Sequence, residues 1–392
     1  MPGPVRNLPG VYVQEQVISP APALPTGVPA FIGFVDDDAR APDGAPQRGG
    51  TYGPVALHRK SDFPGGAKEF LGDAVAGFFD NGGGYCYVIG IRLDASDHAA
   101  ADRLIAALDL LNELSDVDLV AIPDAMALGA DDVVDPVQAL RVQTAVIAHC
   151  NDEGNRVALL DSLPGKDANT LLSDQVLKLG VGGSNPVNAA LYHPWVRTIA
   201  TDTRFVPPSG HVAGVISRTD ATSGVFKAPA NVEILGATDL NGDLDVTALG
   251  QLNDAGVNCL RAFPARGIRV WGARTLSGAA EWRYLNVRRL VLTTLRWIDM
   301  NMTWAAFEPN VPALWSRIQR ELTAYLTRLW RAGALQGDSA DEAYFVRCDA
   351  DLNPPGTRDA GQVVTEIGVA PTAPAEFIVI NVQHRAGTTE LI

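Results

Sequence analysis

Five short stretches of this 392-residue chain bring together residue types that can do chemistry. Asn81-Gly82-Gly83-Gly84 offers the small residues of a phosphate cradle, in which bare backbone N–H groups wrap an anion. Its setting opposes that role: the glycines follow a helical pattern and precede a strand, the reverse of a phosphate loop, and no Gly-Lys-Ser/Thr follows. A turn is the expectation. Asp239-Leu240-Asn241-Gly242-Asp243-Leu244-Asp245 sets side-chain oxygens at alternate positions of a calcium loop, but Leu244 stands where such a loop needs glycine and Gly250 where it needs a bidentate acid. Asp36-Asp37-Asp38 reads as a solvated loop.

Nucleophilic chemistry fares no better. Ser209-Gly210-His211 and Ser277-Gly278 lack the G-x-S-x-G elbow, and the histidines at 58, 98, 149, 193, 211 and 384 show no H-E-x-x-H or paired-ligand spacing. Cys86, Cys150, Cys259 and Cys348 are far apart with no C-x-x-C, which predicts reduced, buried thiols. No catalytic, cofactor-binding or metal-ligating residue is assigned on these grounds. An α/β hydrolase-type enzyme with a site assembled from distant segments stands as the alternative reading, and a monomeric adhesin or binding module as a third. Five of the seven tryptophans (271, 282, 297, 304 and 315) fall in one stretch and read as core or interface anchors.

The elements that would position any site alternate in type. Seven prolines in the first thirty residues exclude helix and central strand there, yet 11–18 is a strand pattern with Val11, Val13 and Val17 on one face and Tyr12 on the other. No second strand follows to close a hairpin, so this one needs a sheet edge elsewhere. A strand at 31–35, helix at 67–79, strand at 85–91, helix at 99–114, strand at 117–122, helix at 136–150 and strand at 157–163 then signal a parallel α/β layer. Residues 181–231 are rich in Gly, Pro and Ser, with His211 opening a helix, and 241–245 is a turn. Beyond 255 come strand and turn, helices over 281–301 and 311–332, strands near 343–349, 362–368 and 376–383, and a polar tail. The fold class is mixed α/β (α+β).

Composition narrows the class further. Hydrophobic residues at 47% and charged residues at 19% exclude disordered, collagen-like and coiled-coil chains, and 41.5 kDa favours about two domains. The net charge of −14 opposes a nonspecific nucleic-acid coat or a binder of anionic membranes. The N-terminus has no apolar run fit for a secretory signal and no 18-residue apolar stretch occurs, so the expectation is a protein kept in a cytoplasm or leaving it by another route. Charge is nonetheless segregated: 261–332 holds twelve arginines against four acids, a local +8, which leaves −22 for the remainder. On the last long helix, at about 100° per residue, Arg317, Arg320, Arg328 and Arg331 share a sector of about 80° opposite Leu314, Ile318, Leu322, Tyr325, Leu326 and Leu329. Such a cationic ridge is either a solvated face or a contact for an acidic partner.

The longer motifs resemble one family. Pro9-Gly10-Val11-Tyr12-Val13, Phe31-Ile32-Gly33-Phe34, and Phe78-Phe79-Asp80-Asn81-Gly82-Gly83 with Cys86-Tyr87-Val88 are similar to the start of contractile phage tail sheath proteins. PSGHVAGVISRTDATSGVFKAPAN (208–231), NCLRAFPARGIRVWGARTLS (258–277), EWRYLNVRRL (281–290), FEPN (307–310), LW (329–330), GAL (333–335) and AEFIVINVQ (375–383) continue the resemblance in the family's order; 95–200 matches only as generic α/β.

The resemblance implies a two-domain tail-sheath fold. An N-terminal arm (1–25) and a C-terminal arm or tail (384–392) would add strands to neighbouring subunits, with Val11, Tyr12, Val13 and Val17 at one end and Phe377, Val379 and Val382 at the other. Residues 26–92 with 255–383 would form an inner domain and 93–254 an outer one. It further implies a structural subunit that polymerises as stacked hexameric rings around an inner tube, meets baseplate and terminal cap proteins, and contracts without nucleotide hydrolysis. No enzyme activity, cofactor, nucleic-acid partner or direct membrane insertion is implied. Assembly would occur in the cytoplasm of the producing cell, within a phage tail or tail-like particle. The length suits compact sheaths of bacteriocins and extracellular contractile injection systems, because larger phage sheaths insert further outer domains. The Arg317/Arg320/Arg328/Arg331 ridge would then be a candidate tube contact, an inference from periodicity and not from a family motif.

Overall fold

Apolar runs with no polar face, such as Pro29–Val35 and Val157–Asp161, are strands covered on both sides. The structure, a computed structural model, describes residues 24–36, 47–48, 50–63, 65–92, 99–130, 133–180, 186–201, 203–242, 244–376, 382–385 and 388–391. Its first half contains β1 (Pro29–Val35), β2 (Gln47–Arg48), β3 (Thr51–Leu57), α1 (Leu71–Asp80), β4 (Cys86–Arg92), α2 (Ala100–Ala106), β5 (Leu119–Ala121), β6 (Gly129–Ala130), β7 (Val133–Val134), α3 (Pro136–Glu153), β8 (Val157–Asp161), α4 (Ala168–Leu171), α5 (Leu177–Gly180) and β9 (Ala189–His193). There follow β10 (Val196–Thr198), α6 (Ser209–Ser223), β11 (Val232–Glu233), β12 (Ala237–Leu240), α7 (Val246–Asp254), β13 (Val257–Phe263), β14 (Gly267–Val270) and α8 (Leu285–Asn301). The chain continues with α9 (Pro312–Arg331), α10 (Ala340–Ala343), β15 (Tyr344–Arg347), α11 (Pro355–Asp359), β16 (Glu366–Val369), β17 (Val382–Arg385) and β18 (Thr388–Leu391).

Ten strands form one sheet in the order β11-β14-β13-β9-β8-β5-β1-β4-β3-β2. The six from β13 to β4 run parallel, and antiparallel strands finish both edges. Period two sorts side chains between the faces: Ala30, Ile32 and Phe34 join the core built with α2 and α3, while Phe31 and Val35 join the one built with α1 and α6. Helix α8 ties this body to a smaller lobe. Its Leu285 and Leu292 enter the α1/α6 core, whereas Leu290 and Trp297 pack in the clusters that join α9 to β15 and β16.

Several boundaries differ from the sequence reading for local reasons. Helix α1 starts at Leu71 because Gly66 and Lys68 are engaged by backbone hydrogen bonds with Asp36 and Phe34. The helix expected over 99–114 turns to 3-10 geometry after Ala106, and α8 starts at Leu285 behind a 3-10 turn. β9 and α6 occupy a stretch read mainly by its Gly, Pro and Ser content. Near the C-terminus the described strand is 382–385, paired with 388–391 as a hairpin where a polar tail was expected. The parts 26–92 with 255–383 and 93–254 contribute interleaved strands to one sheet. Val11, Tyr12, Val13, Val17, Phe377 and Val379 lie outside the described residues, and of Val382 only the backbone in β17 is described.

Candidate functional site

Both ends of the described main body are fastened to one helix. Along α8, Asn286, Arg289, Thr293 and Arg296 recur at intervals of three and four, and all are buried, a polar seam where an amphipathic helix normally places leucine. A buried guanidinium is costly unless carboxylates meet it. Arg289 donates to both Asp220 oxygens on α6 at 2.8 and 2.6 Å, and to Asp118, just before β5, at 2.9 Å. Burial alone would lower the Arg289 pKa, but the two carboxylates outweigh it and hold it raised. Asp118 also accepts the backbone N–H groups of Gly27 and Val28 at 3.0 and 2.7 Å, while Arg296 donates to the carbonyls of Pro25 at 3.1 Å and Asp116 at 2.9 Å. The backbone at Gly27 has φ +67, and a Cβ there would lie 2.6 Å from the Ser217 Cα. The root of the N-terminal arm is thus clamped between α8 and α6.

The C-terminal root is held by the same helix and by its neighbours. Asn286 donates to the carbonyls of Phe226 at 2.7 Å and Thr372 at 3.3 Å; the Thr372 N–H and hydroxyl reach the carbonyls of Ala334 and Gly333 at 3.0 and 2.9 Å. Four residues on, Arg274 Nε donates to both Glu376 oxygens at 3.0 and 3.2 Å, which raises the Arg274 pKa, and Nη1 donates to the Asn253 carbonyl at 2.7 Å. The Asn258 side chain fixes the Arg274 backbone from both sides, accepting its N–H and donating to its carbonyl. The sequence reading places these arginines in the charge tally and sets Arg274 and Arg289 inside family motifs, but assigns them no partners. The i, i+3, i+7, i+10 run of polar residues in α8 was the available signal.

Helix α9 presents the opposite arrangement. Leu314, Ile318, Leu322, Tyr325 and Leu326 are buried, and Arg317, Arg320, Arg328 and Arg331 are all exposed, the two faces that the spacing predicts. Arg317 lies 3.5 Å over the Trp304 ring and pairs with Glu321 at 3.2 Å, and Glu321 accepts Trp304 Nε1 at 2.8 Å. Among the described residues Arg320, Arg328 and Arg331 form no ion pair. β15 and β16 form a two-stranded sheet whose outer edges are unpaired among the described residues.

The residues first singled out for chemistry are spent on structure. Gly82, at φ +92, closes α1, and Gly83 packs on the Phe78 ring. Asp239 pairs with Arg197 and Asp245 caps α7 through the Ala248 N–H at 2.7 Å; Asp37, Asp38 and Asp243 lie outside the described residues. His211 is buried in α6 against Gly77, with its pKa lowered to about 4 by burial. One Ser–His contact does stand where open α/β sheets place active sites: Ser162 Oγ and His193 Nδ1 are 2.9 Å apart at the ends of β8 and β9. Both are buried, burial lowers His193 to about 4, and the adjacent Asp161 accepts from the Ser209 N–H and hydroxyl instead of the imidazole. All four cysteines are buried and unpaired, and among the described residues no cluster of three or more His, Cys, Asp or Glu could hold a metal. No described helix is long and apolar enough to cross a membrane.

Comparison with known proteins places this geometry. Two family models match the chain, one described as the phage tail sheath protein central domain over residues 98–276 and one as the phage tail sheath C-terminal domain over residues 278–385. A tail sheath protein of Vibrio phage KVP40 is 29% identical over 182 residues, covering 45% of this chain and 26% of that protein, so the chain spans about a quarter of that relative's length. Solved structures align along nearly the whole chain. The anti-feeding prophage helical sheath in its contracted state is 31% identical with a TM-score of 0.73, over 97% of this chain and 100% of that one. The PVC sheath complex of an extracellular contractile injection system, also contracted, is 27% identical with a TM-score of 0.74, over 98% and 99%.

Proposed function

This chain belongs to the phage tail sheath family, and from that premise we propose that it is the sheath subunit of a compact contractile injection machine. The observation that carries this reading is the end-to-end likeness to the anti-feeding prophage and PVC sheaths. The family and these neighbours are structural sheath proteins, and the chain is not an enzyme.

Copies of the chain polymerise as stacked hexameric rings in a helical lattice around an inner tube, with a baseplate at one end and a terminal cap at the other. The particle is put together in the cytoplasm of the producing cell. The extended lattice is metastable, and contraction re-docks intact subunits into a state with more contact, driving the tube through a target envelope without nucleotide hydrolysis. Residues 26–92 with 255–383 face the tube and 93–254 face outward. The arms, carrying Val11, Tyr12, Val13 and Val17 at one end and Phe377, Val379 and Val382 at the other, add strands to neighbouring sheets. Such strand addition satisfies exposed backbone groups, about 5 kcal/mol for roughly five hydrogen bonds. An arm that holds a lattice while its bodies rotate must not pull out at its base, and the Arg289/Asp118 and Arg274/Glu376 clamps support that requirement. The exposed α9 ridge supports an acidic tube surface as its partner.

Negative-stain microscopy of the expressed protein, alone and with its tube subunit, tests the reading. Striated tubes or sheathed particles are expected. Soluble monomers under every condition, together with intact function after deletion of residues 1–20, would overturn it.

A further inference from the structure

The turn joining β13 to β14 takes no part in either arm root or in the α9 ridge, yet it is braced as an idle surface turn is not. Phe263 and Gly267 pair across it, and Ala265 at its tip has φ +58, a left-handed backbone that favours glycine. The Arg266 N–H donates to the Phe263 carbonyl at 3.0 Å and its guanidinium to Asn231 Oδ1 at 3.0 Å. Arg269 donates to the carbonyls of Arg266 at 3.0 Å and Asn231 at 2.7 Å. The Phe263 ring is packed among Arg261 Cζ at 5.0 Å, Arg266 Cζ at 5.6 Å and the Trp271 ring at 4.6 Å.

Arg266 and Arg269 are therefore held by hydrogen bonds at and beside an exposed turn, with Arg261 next to them against Phe263, and among the described residues none of the three forms an ion pair. Glu233 is cross-strand from Arg269, with its carboxylate beside Gly267. Asp239, which lines the adjoining cleft of about 710 Å³, is engaged by Arg197. Like charges held together repel, a repulsion that a bound anion relieves, and guanidinium groups already ordered lose little further freedom on meeting a carboxylate that matches their fork.

We propose that the β13–β14 turn docks on a carboxylate-bearing surface of a second copy of this chain. The proposal rests on the sheath reading, and charge complementarity names the partner. In an open head-to-tail assembly both sides of a joint come from one sequence, and outside 261–332 this sequence carries a net −22.

Full-length Arg261→Glu/Arg266→Glu is compared with wild type by sedimentation and negative-stain microscopy across a salt series, with the unfolding midpoint as a control. The reversal is expected to lower polymer yield at low salt by about tenfold or more while the midpoint holds. Should the reversal variant unfold, Arg261→Gln/Arg266→Gln reads the same loss. Unchanged yield and salt dependence in either folded variant overturn the proposal and leave the sheath reading standing; absence of polymer from the wild-type protein overturns both. A variant that polymerises normally but loses capture of the tube subunit moves the acidic partner to the tube and overturns the second-copy assignment.

Discussion

Helices α8 and α9 follow one another in the chain, both rich in arginine, and put that residue to opposite uses. In α8, Arg289 and Arg296 are buried at 2% and 4% exposure, and their hydrogen bonds end on carboxylates and carbonyls far away in sequence. In α9 all four ridge arginines face solvent, and among the described residues only Arg317 has a carboxylate partner, one turn away. The same side chain is a joint where it is enclosed and a surface where it is not. A charge tally over 261–332 adds the two together and so overstates the basic surface available to a partner.

The sharpest way to break this comparison is at Arg289. Arg289→Met leaves Asp220 buried without its cation and Asp118 with only the longer Arg296 contact at 3.9 Å, and should cost about 3–5 kcal/mol in urea unfolding. A loss under about 1 kcal/mol would mean that the buried seam resembles the surface ridge after all. Replacing the whole cluster, as Arg289→Met/Asp118→Leu/Asp220→Leu, should recover much of the stability. It should still release the N-terminal root, because Gly27 and Val28 lose their acceptor. Limited proteolysis ahead of β1 reads that separation of stability from anchoring.

Carboxylates divide in the same way. Asp118 and Asp220 have guanidinium partners, which for Asp220 oppose the upward push of burial; among the described residues Asp161 and Asp124 have only N–H and O–H donors, and burial pushes both up to about 7. Between about pH 4 and 7 the folded state keeps protons that the unfolded chain has released, so their contribution to stability falls as pH rises through that window and levels off above it. Asp161→Asn removes one such site. The stability of the variant relative to wild type should rise from pH 4 to 7, by up to about 4 kcal/mol; a difference that stays flat with pH would show Asp161 ionised throughout. A smaller effect is expected at the C-terminal root, where Glu376→Gln should cost about 1–2 kcal/mol and speed proteolysis beyond Thr372.

How much of this was legible in the sequence depends on distance along the chain. Five of the six strands of the parallel core, all but β9, and the two faces of α9 follow from spacing within one element, and these are found. The α8 seam was missed because its partners lie 69 and 171 residues away, and nothing local marks Asp220 or Asp118 as their acceptors. β9 was missed because it is a five-residue run, Ala189–His193, inside a Gly- and Pro-rich stretch. The single interleaved sheet was also hidden: alternation predicts parallel strands but not that β13 returns to lie beside β9. The arm strands were read from pattern and from family resemblance, and that reading rests on residues outside those described, apart from β17.

The smallest stability effect should come from α9, and that smallness is what gives the test its value. Arg317→Glu/Arg328→Glu changes two exposed side chains, one of which loses a surface pair with Glu321 and a contact with Trp304. Such changes are worth about 0.5 kcal/mol or less in most folds, so the unfolding midpoint should barely move. If the ridge meets an acidic tube, co-assembly with the tube subunit should weaken sharply at low salt, and its salt dependence should flatten because the screened attraction is gone. Unchanged co-assembly at low salt would leave α9 as a solvated face. A large loss of stability would instead mean that the ridge, like the α8 seam, is part of the fold.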